Sequence, residues 1–217
     1  CQNNTAIGAN SMQGVINGAA HNTAIGYNTL AAVTSGDNNI GIGNNAGAAI
    51  TGASQNILIG KNAGVKNTVN NNVAIGHQSM FEVVDGDKNV AIGSFAMQMT
   101  DNDSESSKEN IFIGYNSGAG TWGNAESNYN TAVGAWTMDA GLNASNNNTA
   151  LGYQGLTALT TGDNNIALGS GAASALTTAN STIFIRNNAG ATVTVTNSTN
   201  SDGTIGIGLN ALNALTS

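Results

Sequence analysis

The chain has 217 residues, of which 29 are Gly and none Pro, with 8% charged residues, 5% aromatic residues and a formal net charge of −7. So few charges and bulky side chains leave little material for a broad three-dimensional core, and any order has to come from something regular and repeated. The acidic balance argues against a nucleic acid or an anionic membrane surface as partner, and no run approaches the roughly 18 apolar residues that span a bilayer.

From the N-terminus, the first element carries Asn4-Thr5-Ala6-Ile7-Gly8, and variants of this pattern return with their Gly at 26, 43, 60, 76, 93, 114, 134, 152, 169 and 208. Arg186 holds the one remaining slot. Eleven intervals cover the 200 residues from Gly8 to Gly208, about 18 residues each, which makes twelve rungs. A helical reading fails because Gly, Asn and β-branched residues dominate without a 3.6-residue stripe. The repeat predicts an all-β chain, a parallel β-solenoid of about twelve rungs. The opening Cys1-Gln2-Asn3-Asn4 aligns with Gly162-Asp163-Asn164-Asn165, a point within the repeat. The expectation is therefore one solenoid domain, residues 1–217, forming a segment of a longer fibre. Cys1, the single cysteine, has no intrachain partner.

Each rung obeys the same internal grammar. The residue before the Gly is aliphatic throughout, from Ile7 to Ile207, and two residues earlier stands Thr, Val or Ile. Period-2 alternation puts these two positions on one strand face, which is expected to be the core of the coil. The residue between them is Ala or Gly in nine rungs and Leu58, Phe112 or Phe184 in the other three. That small-residue face is expected to be closely approached by something outside the coil, and self-association would cover it. Four residues before the Gly, ten rungs carry Asn, from Asn4 to Asn165, a column able to hydrogen-bond from rung to rung. Four residues after it, Met12, Leu30, Met80, Met97, Met138, Leu156 and Leu212 suggest a second apolar strand. Turns such as Ser35-Gly36-Asp37-Asn38 close several rungs.

The regularity breaks in the middle, where Gly93 to Gly114 spans 21 residues and Gly114 to Gly134 spans 20. Extra residues are expected to leave the coil as loops, where recognition residues tend to sit on a rigid scaffold. This stretch holds Tyr115, Trp122, Tyr129 and Trp136, the candidate binding residues: flat apolar rings beside Asn and Asp can stack on a pyranose, although the same rings also make good packing residues. It also holds Asp101, Asp103, Glu105 and Glu109, alternating carboxylates that read better as a solvated loop than as a cation site. His21 and His77 lie in different rungs without a matching carboxylate motif, and one Cys with two distant His does not make a zinc site. No catalytic residue, metal site or cofactor is expected, and the chain does not read as an enzyme. The last interval, Arg186 to Gly208, has no aromatic residue, and its Thr192-x-Thr194-x-Thr196 run is too isolated to read as an ice-binding face.

Asn71-Asn72-Val73-Ala74-Ile75-Gly76 and Asn22-Thr23-Ala24-Ile25-Gly26 resemble the head repeats of trimeric autotransporter adhesins, and Asn148-Thr149-Ala150-Leu151-Gly152 is similar to repeats of phage tail-fibre proteins. The resemblance covers the whole chain, although these rungs are longer than the usual adhesin repeat. It implies a left-handed β-roll, a parallel homotrimer, an extracellular place on a cell surface or virion, and attachment to a host or surface through a glycan or receptor. With the Ala and Gly face taken as outward, that face would lie near the trimer axis; a single-chain filament is the alternative assembly. A purely structural filament or spacer is the alternative function.

Overall fold

A computed structural model describes residues 3–98, 107–193 and 202–213. Twelve strands of three residues each follow in chain order: β1 Thr5–Ile7, β2 Thr23–Ile25, β3 Ile40–Ile42, β4 Ile57–Ile59, β5 Val73–Ile75, β6 Val90–Ile92, β7 Ile111–Ile113, β8 Thr131–Val133, β9 Thr149–Leu151, β10 Ile166–Leu168, β11 Ile183–Ile185 and β12 Ile205–Ile207. They form one parallel sheet in sequence order, with Thr5 opposite Thr23 and Ile75 opposite Ile92, so equivalent repeat positions sit in line. The chain is a β-solenoid, and no helix occurs among the described residues. Hydrogen bonds between rungs continue beyond the strands, as in Leu30 N–H to Ala46 O at 3.0 Å and Met97 N–H to Ser117 O at 3.0 Å.

The two strand faces are the reverse of the sequence expectation. The middle residues Ala24, Leu58, Ala74, Ala91, Phe112, Ala132, Ala150, Ala167 and Phe184 are fully buried, whereas Ile7 is 58%, Leu151 52% and Ile207 67% exposed. The Ala and Gly column therefore points into the chain's own coil, and the Thr/Val/Ile and Ile columns form the outer face of the sheet. The reason is width. A coil of about 18 residues folds back on itself within a few residues, and the wall opposite each strand leaves room for one small side chain or for one large one without a partner.

The filling of the core follows that constraint rung by rung. Ala24, Ala74, Ala132 and Ala150 share their rungs with the buried Leu30, Met80, Met138 and Leu156. Where the strand residue is large, the facing residue is Gly: a Cβ on Gly64 would lie 2.6 Å from Leu58 Cδ2, and one on Gly118 would lie 2.5 Å from Phe112 Cδ1. Gly190 stands in the same relation to Phe184. Farther along the coil Val33, Ile50, Val83, Leu159, Leu176 and Val193 add a further buried apolar column.

The Asn column is internal as well. Asn22, Asn39, Asn56, Asn72, Asn89, Asn110, Asn130, Asn148 and Asn165 are fully buried. In the repeating pattern each Oδ1 accepts from the next rung's backbone N–H, as Asn39 N–H to Asn22 Oδ1 at 2.9 Å, and each Nδ2 donates to a turn carbonyl, as Asn39 Nδ2 to Ala53 O at 2.8 Å. A second ladder runs the opposite way along the turns: Asp37 accepts from Ala20 N–H at 2.7 Å and Asp163 from Asn146 N–H at 2.6 Å. The Gly-Asp turns thus link rungs besides reversing the chain.

The repeat Gly permits close stacking. A Cβ on Gly26, at φ +136°, would lie 2.7 Å from Gly43 O. Arg186 occupies the same slot at φ 102°, a region that favours glycine. Replacing Arg186 by Gly is expected to raise the unfolding free energy by about 1 kcal/mol. Urea denaturation checks this, and an unchanged or lower midpoint would show that Arg186 carries no strain.

Candidate functional surface

The residues after each repeat Gly form the corner that follows the strand. The first is exposed where it is large: Tyr27 is 53%, Tyr115 46% and Tyr153 51% exposed. The second adopts positive φ in every rung, and Asn fills it in seven of the twelve. Asn tolerates this conformation because its short polar side chain bonds locally. Here Asn28 Nδ2 donates to Asn45 Oδ1 at 2.9 Å, and Asn45 Nδ2 to Asn62 Oδ1 at 3.1 Å, a third ladder lying at the surface.

Phe95 and Trp136 take that second position, each at φ 62°. Together with His77 and Tyr115, in the first position, they make a row of rings over the rungs of β5 to β8. The centroids of His77 and Phe95 are 5.1 Å apart, those of Phe95 and Tyr115 5.8 Å, and those of Tyr115 and Trp136 5.4 Å. All three contacts are edge-to-face, and all four side chains keep part of their surface in solvent. Gln98 Nε2 donates to Gln78 Oε1 at 3.3 Å beside the row, and Thr157 Oγ1 donates to the carbonyl of Trp136 at 2.9 Å.

Of the four residues expected from the sequence, the structure brings together Tyr115 and Trp136 alone. Trp122 is only 1% exposed: its indole N–H donates to Gly118 O at 3.0 Å and its ring lies edge-to-face on Phe112 at 5.6 Å. It is a core residue, contrary to the sequence expectation, and has no surface on which a ligand could stack. Tyr129 is 50% exposed but precedes β8, at the opposite end of that strand from Trp136. There it follows Lys88 and Glu109 in a column at positive φ. Lys88 Nζ donates to Glu109 Oε1 at 3.2 Å, and this bond, then the carboxylate's charge, holds the ammonium above its ordinary pKa. On the wall after the row, partial burial raises the carboxyl of Asp139.

His77 and Phe95 were not expected, although His77 follows its Gly directly and Phe95 lies between Gly93 and Gly114: the expected rings were all Tyr or Trp, and His77 was weighed only for a carboxylate partner. The signal for Phe95 was the second position, where a bulky ring replaces Asn at a backbone conformation that rings rarely adopt. Asp101, Asp103 and Glu105 lie outside the described residues, as do Thr194 and Thr196. No cluster of three His, Cys, Asp or Glu suited to a metal occurs among the described residues. Comparison of the chain with protein-family models, curated proteins and solved structures gives no match.

Proposed function

We propose that this chain is a segment of a structural and adhesive fibre, non-catalytic, displayed outside a cell or on a virion, where it mediates attachment to a host or surface. The observation that carries the reading is the outer face of the sheet. Two in-register columns of Ile, Val, Leu and Thr run along it, with Ile25, Ile40, Ile111, Leu151 and Ile166 among the exposed members. Twelve strands at a spacing of ~4.8 Å, each ~10 Å long, make this a continuous face of roughly 500 Å², at the upper end of what monomers leave uncovered. Copies of the same chain suit it because their columns share its period along the rod. Three such faces around one axis give a parallel homotrimer, held by the aliphatic columns rather than by the Ala and Gly column buried within each coil. A stiff rod of this kind sets distance and presents its corners repeatedly to the outside.

Light scattering tests the assembly. The parent chain is expected at three times its monomer mass. Joint replacement of Ile75 and Ile92 by Lys is expected to give a monomer with an unchanged far-ultraviolet spectrum, because both side chains stand outside the coil. A parent that stays monomeric at micromolar concentration would rule the assembly out.

A further inference from the structure

The row His77, Phe95, Tyr115 and Trp136 extends the adhesive reading, on which this inference rests, to a specific class of ligand. Fold requirements do not account for the row. The core is filled without these rings, since Ala96, Met97, Thr137 and Met138 are the buried residues next to them. Phe95 and Trp136 hold φ 62° where other rungs place Asn, Gln or Gly, so the backbone accepts strain in order to present a ring on the surface. The adjacent interplanar angles are 83°, 85° and 65°, so each ring stands across its neighbour, with first-position and second-position rings taking turns along the row.

We infer that this row is a binding site for an extended, neutral, β-linked polysaccharide lying along the fibre axis. Rings at the same corner position, His77 with Tyr115 and Phe95 with Trp136, recur every second rung, about 9.6 Å apart. An extended β1→4-linked glycan flips successive sugars, so its repeating unit is a disaccharide of comparable length, and it can bring an equivalent sugar to each ring of such a pair. Pyranose faces stack on such rings, while neighbouring amides hydrogen-bond the equatorial hydroxyls. Gln78, Gln98, Asn116 and Gln154 supply those amides in the same four rungs and the next. A net charge of −7 disfavours acidic polysaccharides and fits a neutral one.

The experiment is titration calorimetry with unbranched β1→4 gluco-, manno- and chito-oligosaccharides, from the disaccharide to the hexasaccharide, paired with light scattering on each protein. At least one series is expected to bind, with affinity rising to the tetrasaccharide or beyond as the row fills. Tyr115→Ala and Trp136→Ala are each expected to weaken it about ten-fold. Phe95→Asn, which restores the residue usual at this position and should fold at least as well, is expected to weaken it too. Tyr27→Ala, three rungs away from the row, should leave it unchanged. Absence of binding in all three series, binding without chain-length dependence, or binding indifferent to Phe95→Asn and Trp136→Ala would overturn the proposal. So would a change of oligomeric state in Trp136→Ala, which would make the row a contact between copies. A monomeric parent that still binds in this way would sink the trimer and leave the glycan site standing.

Discussion

Replacing Asn110 by Leu is expected to lower the unfolding free energy by about 2–5 kcal/mol, a large share of the ~5–15 kcal/mol typical of a folded domain. Asn110 is fully buried between two equivalent residues. Its backbone N–H and Nδ2 donate to Asn89 Oδ1 at 3.0 and 3.1 Å, its Nδ2 also donates to Ser127 O at 2.9 Å, and its Oδ1 accepts Asn130 N–H at 2.9 Å. Leu fills similar volume but returns none of the side-chain bonds. It strands the Asn130 N–H and the Ser127 carbonyl in a dry interior, where each unsatisfied group costs about 1–3 kcal/mol. The control is Asn45→Gly, which removes two hydrogen bonds of the surface ladder while keeping a residue suited to φ 57°. That change should shift stability by only about 0.5 kcal/mol. Urea denaturation of both variants checks the contrast, and equal shifts would mean that the buried ladder is no more important than the exposed one.

The ladder was legible in the sequence because it depends on identity alone. Ten Asn in equivalent slots mean the same thing whichever way the strand faces. The inward direction was not legible, for a physical reason. Alternation in a strand shows which residues share a face but not which face is enclosed, and the usual inference that aliphatic residues are inside is a one-way rule. In an ordinary sheet the larger residues would win the interior. In this coil the distance to the opposite wall decides, and Ala74 fits against Met80 where Ile75 would not. Leu58, Phe112 and Phe184 were recognised as exceptions to the small-residue column, yet the Gly residues that explain them stand six positions later in the chain. Only the fold of the coil shows that these pairs share one space.

Trp122 illustrates the same limit for the surface. A Trp in an unusually long interval of a repeat protein reads as a displayed ring, and nothing local distinguishes it from a core residue. Its burial follows from Gly118, which leaves room for Phe112, against whose ring the indole then packs at 5.6 Å. Tyr115 and Trp136, in contrast, belong to the corner directly after the strand. Side chains there continue the outer surface, so Tyr115 and Trp136 stand outside the coil by their register with the repeat Gly.

The exchange of volume across the coil yields the second large effect. Phe112→Ala is expected to cost about 3–5 kcal/mol, the range for emptying a buried aromatic site. Gly118→Met is expected to be destabilising by itself, because its Cβ would meet Phe112 Cδ1 at 2.5 Å and the rest of the side chain would have nowhere to go. Made together, the two changes recreate the combination of the next rung, Ala132 with Met138, both fully buried. The backbone at 118 already has the required conformation: its φ of 64° is close to the 46° at Met138 and the 49° at Met80. The double variant is therefore expected to be more stable than either single variant, with a coupling of about 2 kcal/mol or more, while falling short of the parent because Trp122 loses its aromatic neighbour. A thermodynamic cycle over the four proteins by chemical denaturation measures this directly. Additive losses would show that Phe112 and Gly118 do not share one space, and the rule that no rung carries two large side chains across this gap would fall with them.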